Sequence, residues 1–266
     1  MSKRALTIIG VLIALAVVIV GGWYFFIRSD APDAPDAESA RDALEDSQTT
    51  TTEAPATDTG DEPGDTAGSD TTADTDAGDA GEISGTWTVD TELGGDSIDD
   101  RSYVGYKVQE ELVSIGSSTA FGRTPVVSGT LTIDGTSATT VDIEADLTAL
   151  ESDSGFRDGA LGNQALETNT FPMATFRLTE PIDFGAVPEE GTVLKATAVG
   201  DLNLHGVVKQ VEIPIEAQLV GNAIAVTGVA PVLFADFDID PPSARAVASV
   251  EDNGTIEIQL FFSRER

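Results

Sequence analysis

The chain has 266 residues and a formal net charge of −32, with 46 acidic residues against 14 basic ones. This balance argues against nucleic acid and anionic membrane surfaces as partners, because both bind through positive patches. Since the chain has no cysteine, disulfides, thiolate metal sites and a lipid-modified cysteine are excluded as well.

The N-terminal residues have the pattern of a membrane span. Residues 5–27 are uncharged and mostly aliphatic, and an aromatic cluster, Trp23 to Phe26, lies near their end. At about 1.5 Å per residue, a helix of this length crosses a hydrocarbon core of about 30 Å. Lys3-Arg4 places the N-terminus in the cytoplasm. We therefore predict a single-pass anchor over residues 1–28, with the rest of the chain outside the cytoplasm. The alternative is a signal peptide cleaved after the small-residue pattern Ala14 to Ala16.

Residues 29–82 have a composition typical of a disordered acidic linker. They contain 17 acidic residues, one basic residue, Arg41, and one large aliphatic residue, Leu44. Such a segment buries too little apolar surface to offset the entropy of ordering it. We predict a tether that spans about 40 Å root-mean-square as a flexible coil. The sequence is compatible with a helix over Ala37 to Leu44, but we do not predict one.

Residues 83–266 form the predicted folded domain, and their alternating pattern is that of β-strands. The predicted strands are Trp87 to Asp90, Ser102 to Glu110, Val127 to Ile133, Val141 to Leu147, Ala174 to Leu178, Val193 to Leu204, Val211 to Leu219, Ile224 to Val232 and Ile256 to Phe262. The predicted turns are Asp134-Gly135, His205-Gly206, Gly221-Asn222 and Asn253-Gly254. Ser154 to Glu167 is a predicted helical insert.

Consecutive strands with short turns indicate an antiparallel sheet that closes on itself, since closure removes exposed edges. A two-sheet sandwich is the alternative. The inward faces contain many small residues, including Ala145, Ala196, Ala198 and Ala217. This favours an antiparallel β-barrel with a short helical insert and with room for an apolar ligand.

Signals of catalysis and metal binding are weak. His205 is the single histidine, and we expect it to be an exposed turn residue rather than a zinc ligand. If Asp236, Asp238 and Asp240 lie on a strand they share one face, and we favour a solvated face over a calcium site. We expect Arg157-Asp158 to contribute a local ion pair that fixes the insert rather than a ligand contact. The sequence predicts no enzyme and no cofactor.

Four motifs together resemble the YceI-like family of polyisoprenoid-binding proteins. They are Trp87-x-Val89-Asp90, Arg157-Asp158 with Leu161, "TFPMATF" from Thr170 to Phe176, and "GDLNLHGVVKQVEIPI" from Gly200 to Ile215. The resemblance implies a lipocalin-like barrel that encloses the apolar chain of an isoprenoid, such as a quinone or polyprenyl lipid, and it implies no catalytic residue. Many members have a histidine where this chain has Gln109-Glu110-Glu111. Glu110 continues the face of Tyr106 and Val108. At a barrel mouth it could meet a bound headgroup, but we expect a strand-end carboxylate in water.

The predicted function is that of a membrane-tethered extracytoplasmic barrel that binds a polyisoprenoid or a similar long apolar lipid. The candidate ligand-binding residues face the predicted interior. They are Tyr106, Val108, Leu131, Ile143, Leu147, Phe176, Leu178, Leu204, Ile213, Phe234 and Leu260. The main alternative is a structural or interaction module of the cell envelope whose barrel is filled by its own side chains. An enzyme acting on an isoprenoid is the weakest candidate, because a single histidine offers little acid-base chemistry.

Overall fold

The computed structural model describes residues 31–50, 83–114, 116–243, 245 and 247–264. Over these residues the chain forms twelve β-strands and two α-helices. The strands are β1 (Gly85–Val89), β2 (Tyr103–Leu112), β3 (Gly116–Thr124), β4 (Val127–Asp134), β5 (Ser137–Asp146), β6 (Met173–Leu178), β7 (Ile182–Asp183), β8 (Leu194–Leu204), β9 (Val207–Val220), β10 (Ala223–Leu233), β11 (Val247–Val250) and β12 (Asn253–Ser263). The helices are α1 (Ala37–Thr50) and α2 (Gly155–Ala160), and α2 continues into a π-helical turn, Leu161–Ala165.

Eight of these strands close into an antiparallel barrel, in the order β1-β4-β5-β6-β8-β9-β10-β12. The ring closes where Val89 of β1 lies opposite Phe262 of β12. Further along β12, its partner is β2 through Tyr103 to Lys107, and β3 then pairs with β2. Backbone hydrogen bonds between Arg123 and Glu151 join β3 to the chain that follows β5. The predicted barrel is therefore correct, and the sandwich alternative is wrong.

The alternating sequence pattern decides which side chains face the interior. Ala198 of β8 lies opposite Ile213 of β9, and both are buried. Their chain neighbours Thr197 and Glu212 are exposed on the outer surface. Because successive side chains of a strand point to opposite faces, this register places the apolar set of each strand inside the barrel.

Part of the predicted linker is ordered, which corrects the prediction of disorder over residues 29–82. Helix α1 begins after Asp36, whose side-chain carboxylate accepts a hydrogen bond from the Ser39 backbone N–H at 2.9 Å. Ala40 and Leu44 have no exposed surface and pack against the outer face of the barrel. The few apolar residues of this segment recur at helical spacing, and they are buried because the helix packs them against the barrel.

Polar contacts also attach this segment, residues 31–50, which we call the arm. The Arg123 guanidinium donates to the Asp33 carbonyl at 3.3 Å. The Gln218 amide donates to the Ala37 carbonyl at 2.5 Å, and the Gln48 amide donates to the Val220 carbonyl at 3.4 Å. The contacts on the barrel come from β3 and β9, so the arm crosses several strands.

The predicted membrane span over residues 5–27 lies outside the described residues, as do residues 51–82 of the predicted linker. Within the part of the chain that the structure describes, there is no helix with the length and apolar character that crossing a bilayer requires.

One turn prediction near the C-terminus is wrong. Asn253 and Gly254 do not form a hairpin turn; they begin β12, opposite Leu233 and Val232 of β10. A side chain at Gly254 would come within 2.8 Å of the Lys107 carbonyl, so close packing rather than a turn explains this glycine.

Asp236 does not lie on a strand, because Phe234–Phe237 is a 3-10 turn. Asp238 ends this turn with a φ of 53°. Asp236 accepts a hydrogen bond from Lys209 at 2.5 Å. Among the described residues there is no group of three or more His, Cys, Asp or Glu side chains that could hold a metal ion.

Candidate functional site

The barrel encloses a cavity of about 300 Å³. Its lining is almost entirely aliphatic and aromatic, and it comes from every strand of the ring except β1, together with β2, β3 and the π-helical turn. Small-molecule sites in proteins are concave, mostly apolar and of this order of size. The interior can therefore accommodate an apolar chain.

Ten of the eleven residues predicted to face a ligand line this cavity. They are Tyr106, Val108, Leu131, Ile143, Leu147, Phe176, Leu204, Ile213, Phe234 and Leu260. Leu178 does not, because it lies at the end of β6 and packs against the cluster of Ala198, Ile213 and Ala230. The strand pattern thus identified the inward face but not how far the open space extends along it.

Two aromatic rings form part of the cavity wall by lying against glycines of the neighbouring strands. Phe176 of β6 covers Gly200 of β8, and a Cβ added to Gly200 would come within 2.4 Å of the Phe176 ring. Tyr106 of β2 covers Gly122 of β3 in the same way, at 2.6 Å. Since each glycine leaves space for a ring beside its backbone, both rings lie along the wall.

One region of the lining is polar. The Arg157 guanidinium of α2 donates to the Glu110 carboxylate of β2 at 2.8 Å, and it also pairs with Asp153. Glu110 is buried, which corrects the prediction that this carboxylate lies in water. The local ion pair predicted for Arg157 is present, but its acid is Asp153 rather than Asp158. The Asp158 carboxylate instead accepts a hydrogen bond from the Ser152 backbone N–H at 3.0 Å.

The ionisation of this polar region follows from its surroundings. Burial raises the pKa of the Tyr106 hydroxyl, against the opposing effect of Arg157, and the carboxylates of Asp158, Asp153 and Glu110 raise it further. Burial opposes the charge of Arg157, but the hydrogen bond and charge of Glu110 raise the pKa of Arg157 above its ordinary value. Tyr106 is therefore neutral and Arg157 charged at physiological pH.

Comparison of the sequence with known families decides the membership of the chain, because residues 70–262 match the YceI-like domain. The chain belongs to the YceI-like domain family. Among curated protein sequences, none matches it.

Three solved structures are similar to this YceI-like chain. A polyisoprenoid binding domain from Saccharophagus degradans is 16% identical over 68% of this chain and 98% of its own, with a TM-score of 0.49. Burkholderia cenocepacia BcnA is 19% identical over 60% and 95%, with a TM-score of 0.47. The Campylobacter jejuni YCEI protein is 16% identical over 53% and 82%, with a TM-score of 0.43.

The histidine of this YceI-like domain is a structural residue of the turn between β8 and β9. His205 is buried, which corrects the prediction of an exposed side chain. One ring nitrogen lies 3.0 Å from the Phe237 carbonyl and the other lies 3.1 Å from the Glu167 carboxylate. The Phe171 ring contacts it edge-on, at 4.5 Å between ring centroids. His205 does not line the cavity.

Sequence reasoning considered ligand contact for Glu110 and Arg157 but favoured a carboxylate in water and a local ion pair, whereas both residues line the YceI-like barrel. A signal for Glu110 was present, because it continues the inward face of Tyr106 and Val108. Arg157 lies in the insert, where no strand pattern predicts the direction of a side chain. Its ion pair with Glu110 of β2 is what holds it at the cavity.

Proposed function

We propose that the barrel binds a polyisoprenoid or another long apolar lipid in its cavity and shields it from water. The observation that carries this proposal is the cavity itself, which is lined almost throughout by apolar side chains. Burying apolar surface contributes about 25 cal/mol per Å², so a long chain is held without many polar contacts. A filled barrel that serves as a structural module would leave no such space.

Native mass spectrometry of the full chain, purified gently and followed by lipid extraction, tests this proposal. We expect a co-purifying lipid, and we expect Ala196→Trp to displace it because Ala196 lines the cavity. The matched control is Thr197→Trp, since Thr197 is the next residue on β8 and faces outward. A barrel that never carries a lipid, or equal lipid occupancy in the two variants, contradicts the proposal.

We further propose that the chain is tethered to a membrane with the barrel outside the cytoplasm. The uncharged, aliphatic sequence of residues 5–27 and the preceding Lys3-Arg4 support this proposal. Residues 28–32 separate that sequence from Asp33, whose carbonyl is already bonded to the barrel. Five residues reach at most about 18 Å. The arm therefore holds the barrel close to the bilayer, where an apolar lipid is dissolved.

Energy transfer between the barrel and the bilayer tests the tether. The chain has no cysteine, so Thr140→Cys on the exposed face of β5 provides a single site for a donor dye. With acceptor lipids in vesicles, we expect Ala40→Glu to lower the transfer efficiency. Ala40 of the arm is fully buried against the barrel, and a charge there releases the arm. Ser39→Glu on the exposed side is the control. If the full chain does not enter vesicles, the proposed membrane anchor is wrong. If Ala40→Glu leaves the transfer efficiency unchanged, the docked arm does not hold the barrel close to the bilayer.

A further inference from the structure

The cavity is not uniformly apolar, and its ionisable groups are close together. Tyr106, Glu110 and Arg157 are the ionisable side chains in its lining. Arg157 contacts Glu110 directly, and the charges of both act on Tyr106. A long lipid has one polar end, and this polar region is where that end can be recognised.

The Tyr106 hydroxyl has unused bonding capacity. Its oxygen is buried and has no hydrogen-bond partner among the described residues. A buried donor without a partner costs free energy, so a ligand atom that accepts its hydrogen bond gains affinity. The ring rests against Gly122, where an added Cβ would come within 2.6 Å, and this packing limits how far the hydroxyl can move.

The charges around the hydroxyl decide which kind of acceptor fits. The Arg157 guanidinium is already paired with Glu110 and Asp153. Asp158 is a third carboxylate whose charge is felt at Tyr106. The charges that act on the hydroxyl are therefore three carboxylates and one guanidinium, and among the lining residues there is no other cation. An anionic phosphate placed here meets repulsion, whereas a neutral oxygen does not.

We propose that Tyr106, Glu110 and Arg157 form a specificity site for the end group of the lipid, and that this site takes a neutral oxygen acceptor, such as a carbonyl, and disfavours a phosphate. Tyr106 donates the hydrogen bond to that oxygen. Arg157 is already paired with Glu110, so the guanidinium is not free to attract an anionic end group, and the Glu110 carboxylate repels one. This inference rests on the proposed lipid binding and adds the chemical class of the lipid end group.

An equimolar competition tests the site with three probes of similar chain length. The probes are the ketone geranylgeranylacetone, geranylgeranyl monophosphate and the hydrocarbon phytane, offered together to the full chain in detergent. Native mass spectrometry then reports their relative occupancy. We expect the ketone to exceed the hydrocarbon by about fivefold, the effect of one hydrogen bond. We expect the phosphate to bind less than the ketone.

Two substitutions separate the roles of the site residues. Tyr106→Phe removes the donor and lowers the ratio of ketone to hydrocarbon by about fivefold. Glu110→Gln removes one negative charge and raises the ratio of phosphate to ketone. Tyr103→Phe is the matched control, because Tyr103 lies on the same strand but does not line the cavity. Ratios within one spectrum do not depend on the fraction of protein that is folded.

The outcomes distinguish this site from lipid binding itself. If none of the three probes binds, the proposed function fails. If all bind but Tyr106→Phe leaves the ratio of ketone to hydrocarbon unchanged, the specificity site is wrong and lipid binding stands. Stronger binding of the phosphate than of the ketone also overturns the site.

Discussion

The ring of Phe176 lies across Gly200 of the neighbouring strand, at a distance that leaves no space for a side chain. A Cβ on Gly200 would lie 2.4 Å from the ring and 2.5 Å from the Arg177 carbonyl. Phe176 is also part of the cavity lining. The glycine therefore allows a large aromatic ring to lie against the wall, which leaves the centre of the barrel open.

We predict that Gly200→Ala destabilises the protein and reduces lipid binding. The new methyl group displaces the Phe176 ring toward the cavity and strains the backbone at Arg177. Overpacking of this kind typically costs about 1–3 kcal/mol in the free energy of unfolding. Chemical denaturation measures the loss of stability, and native mass spectrometry measures the loss of bound lipid.

The control for this prediction is Gly159→Ala in α2. A Cβ at Gly159 has no atom within 4 Å, so the substitution creates no clash. Alanine favours a helix over glycine by about 1 kcal/mol, and we expect unchanged or higher stability with unchanged lipid occupancy. If Gly200→Ala behaves like this control, the interpretation of the ring and glycine pair is wrong.

The strands that alternate clearly could be predicted from sequence. In β8 and β9, apolar residues such as Ala198 and Ile213 recur at every second position over a long stretch, so the pattern fixes the inward face. The turn at His205-Gly206 was predicted as well. The burial of the His205 side chain was not predicted. The atoms that cover its ring come from Phe171, Glu167 and Phe237, which are distant in sequence.

Elements whose stability comes from tertiary contacts were not predicted. Strand β3, Gly116–Thr124, contains serine, threonine, glycine and arginine and has almost no apolar alternation. Its pairing with β2 is what makes it a strand. Helix α1 looked disordered by composition for a similar reason, because the few apolar residues that dock it, such as Leu44, bury nothing until the barrel exists.

The apolar wall of the candidate site could be predicted, but its polar region could not. An inward-facing residue at a strand end can lie in water or under a neighbouring element, and Glu110 is buried because Arg157 of the insert covers it. That contact joins residues 47 positions apart in the chain. Neither strand period nor helix propensity contains this information.

We predict that Arg157→Met is strongly destabilising. The substitution leaves the Glu110 carboxylate, whose side chain is 7% exposed, buried without its partner. Removing one member of a buried pair costs about 3–5 kcal/mol, and replacing both members by apolar residues recovers much of the loss. Denaturant unfolding of Arg157→Met and of the double variant Arg157→Met with Glu110→Leu measures both effects.

An exposed ion pair provides the comparison for this prediction. Arg177 pairs with Asp142 on the outer surface at 2.5 Å, and the Arg177 side chain is 75% exposed. Arg177→Met should therefore change the free energy of unfolding by less than about 1 kcal/mol. If Arg157→Met and Arg177→Met lower the free energy of unfolding by similar amounts, the buried pair of Arg157 and Glu110 contributes no more to stability than an exposed pair does.

We predict that Leu44→Ala loosens the arm without unfolding the barrel. Leu44 is fully buried against the outer face and belongs to a cluster with Phe261. A buried leucine truncated to alanine costs about 2–5 kcal/mol, and here the loss falls on the docking of α1. Amide hydrogen exchange should lose protection in α1 and retain it in the strands of the ring. Asp42→Ala, on the exposed side of α1, should leave both unchanged.

Acid should release the arm through Glu216. The hydrogen bond from Lys195 lowers the pKa of Glu216, burial opposes this effect, and the Ala37 backbone N–H at 3.4 Å adds to it. Of these effects, docking of the arm adds the Ala37 bond, which lowers the pKa by more than the Asp36 charge of the arm raises it. The ionised carboxylate therefore stabilises docking above the ordinary value of 4.5, and this contribution is lost as the pH falls below it. We expect protection of the α1 amides, corrected for intrinsic exchange rates, to decline in that range.

The variant Glu216→Gln tests this role of the carboxylate. It should weaken docking of the arm at neutral pH and remove this part of the decline. If the variant and the wild-type protein show the same pH dependence, Glu216 does not control the arm.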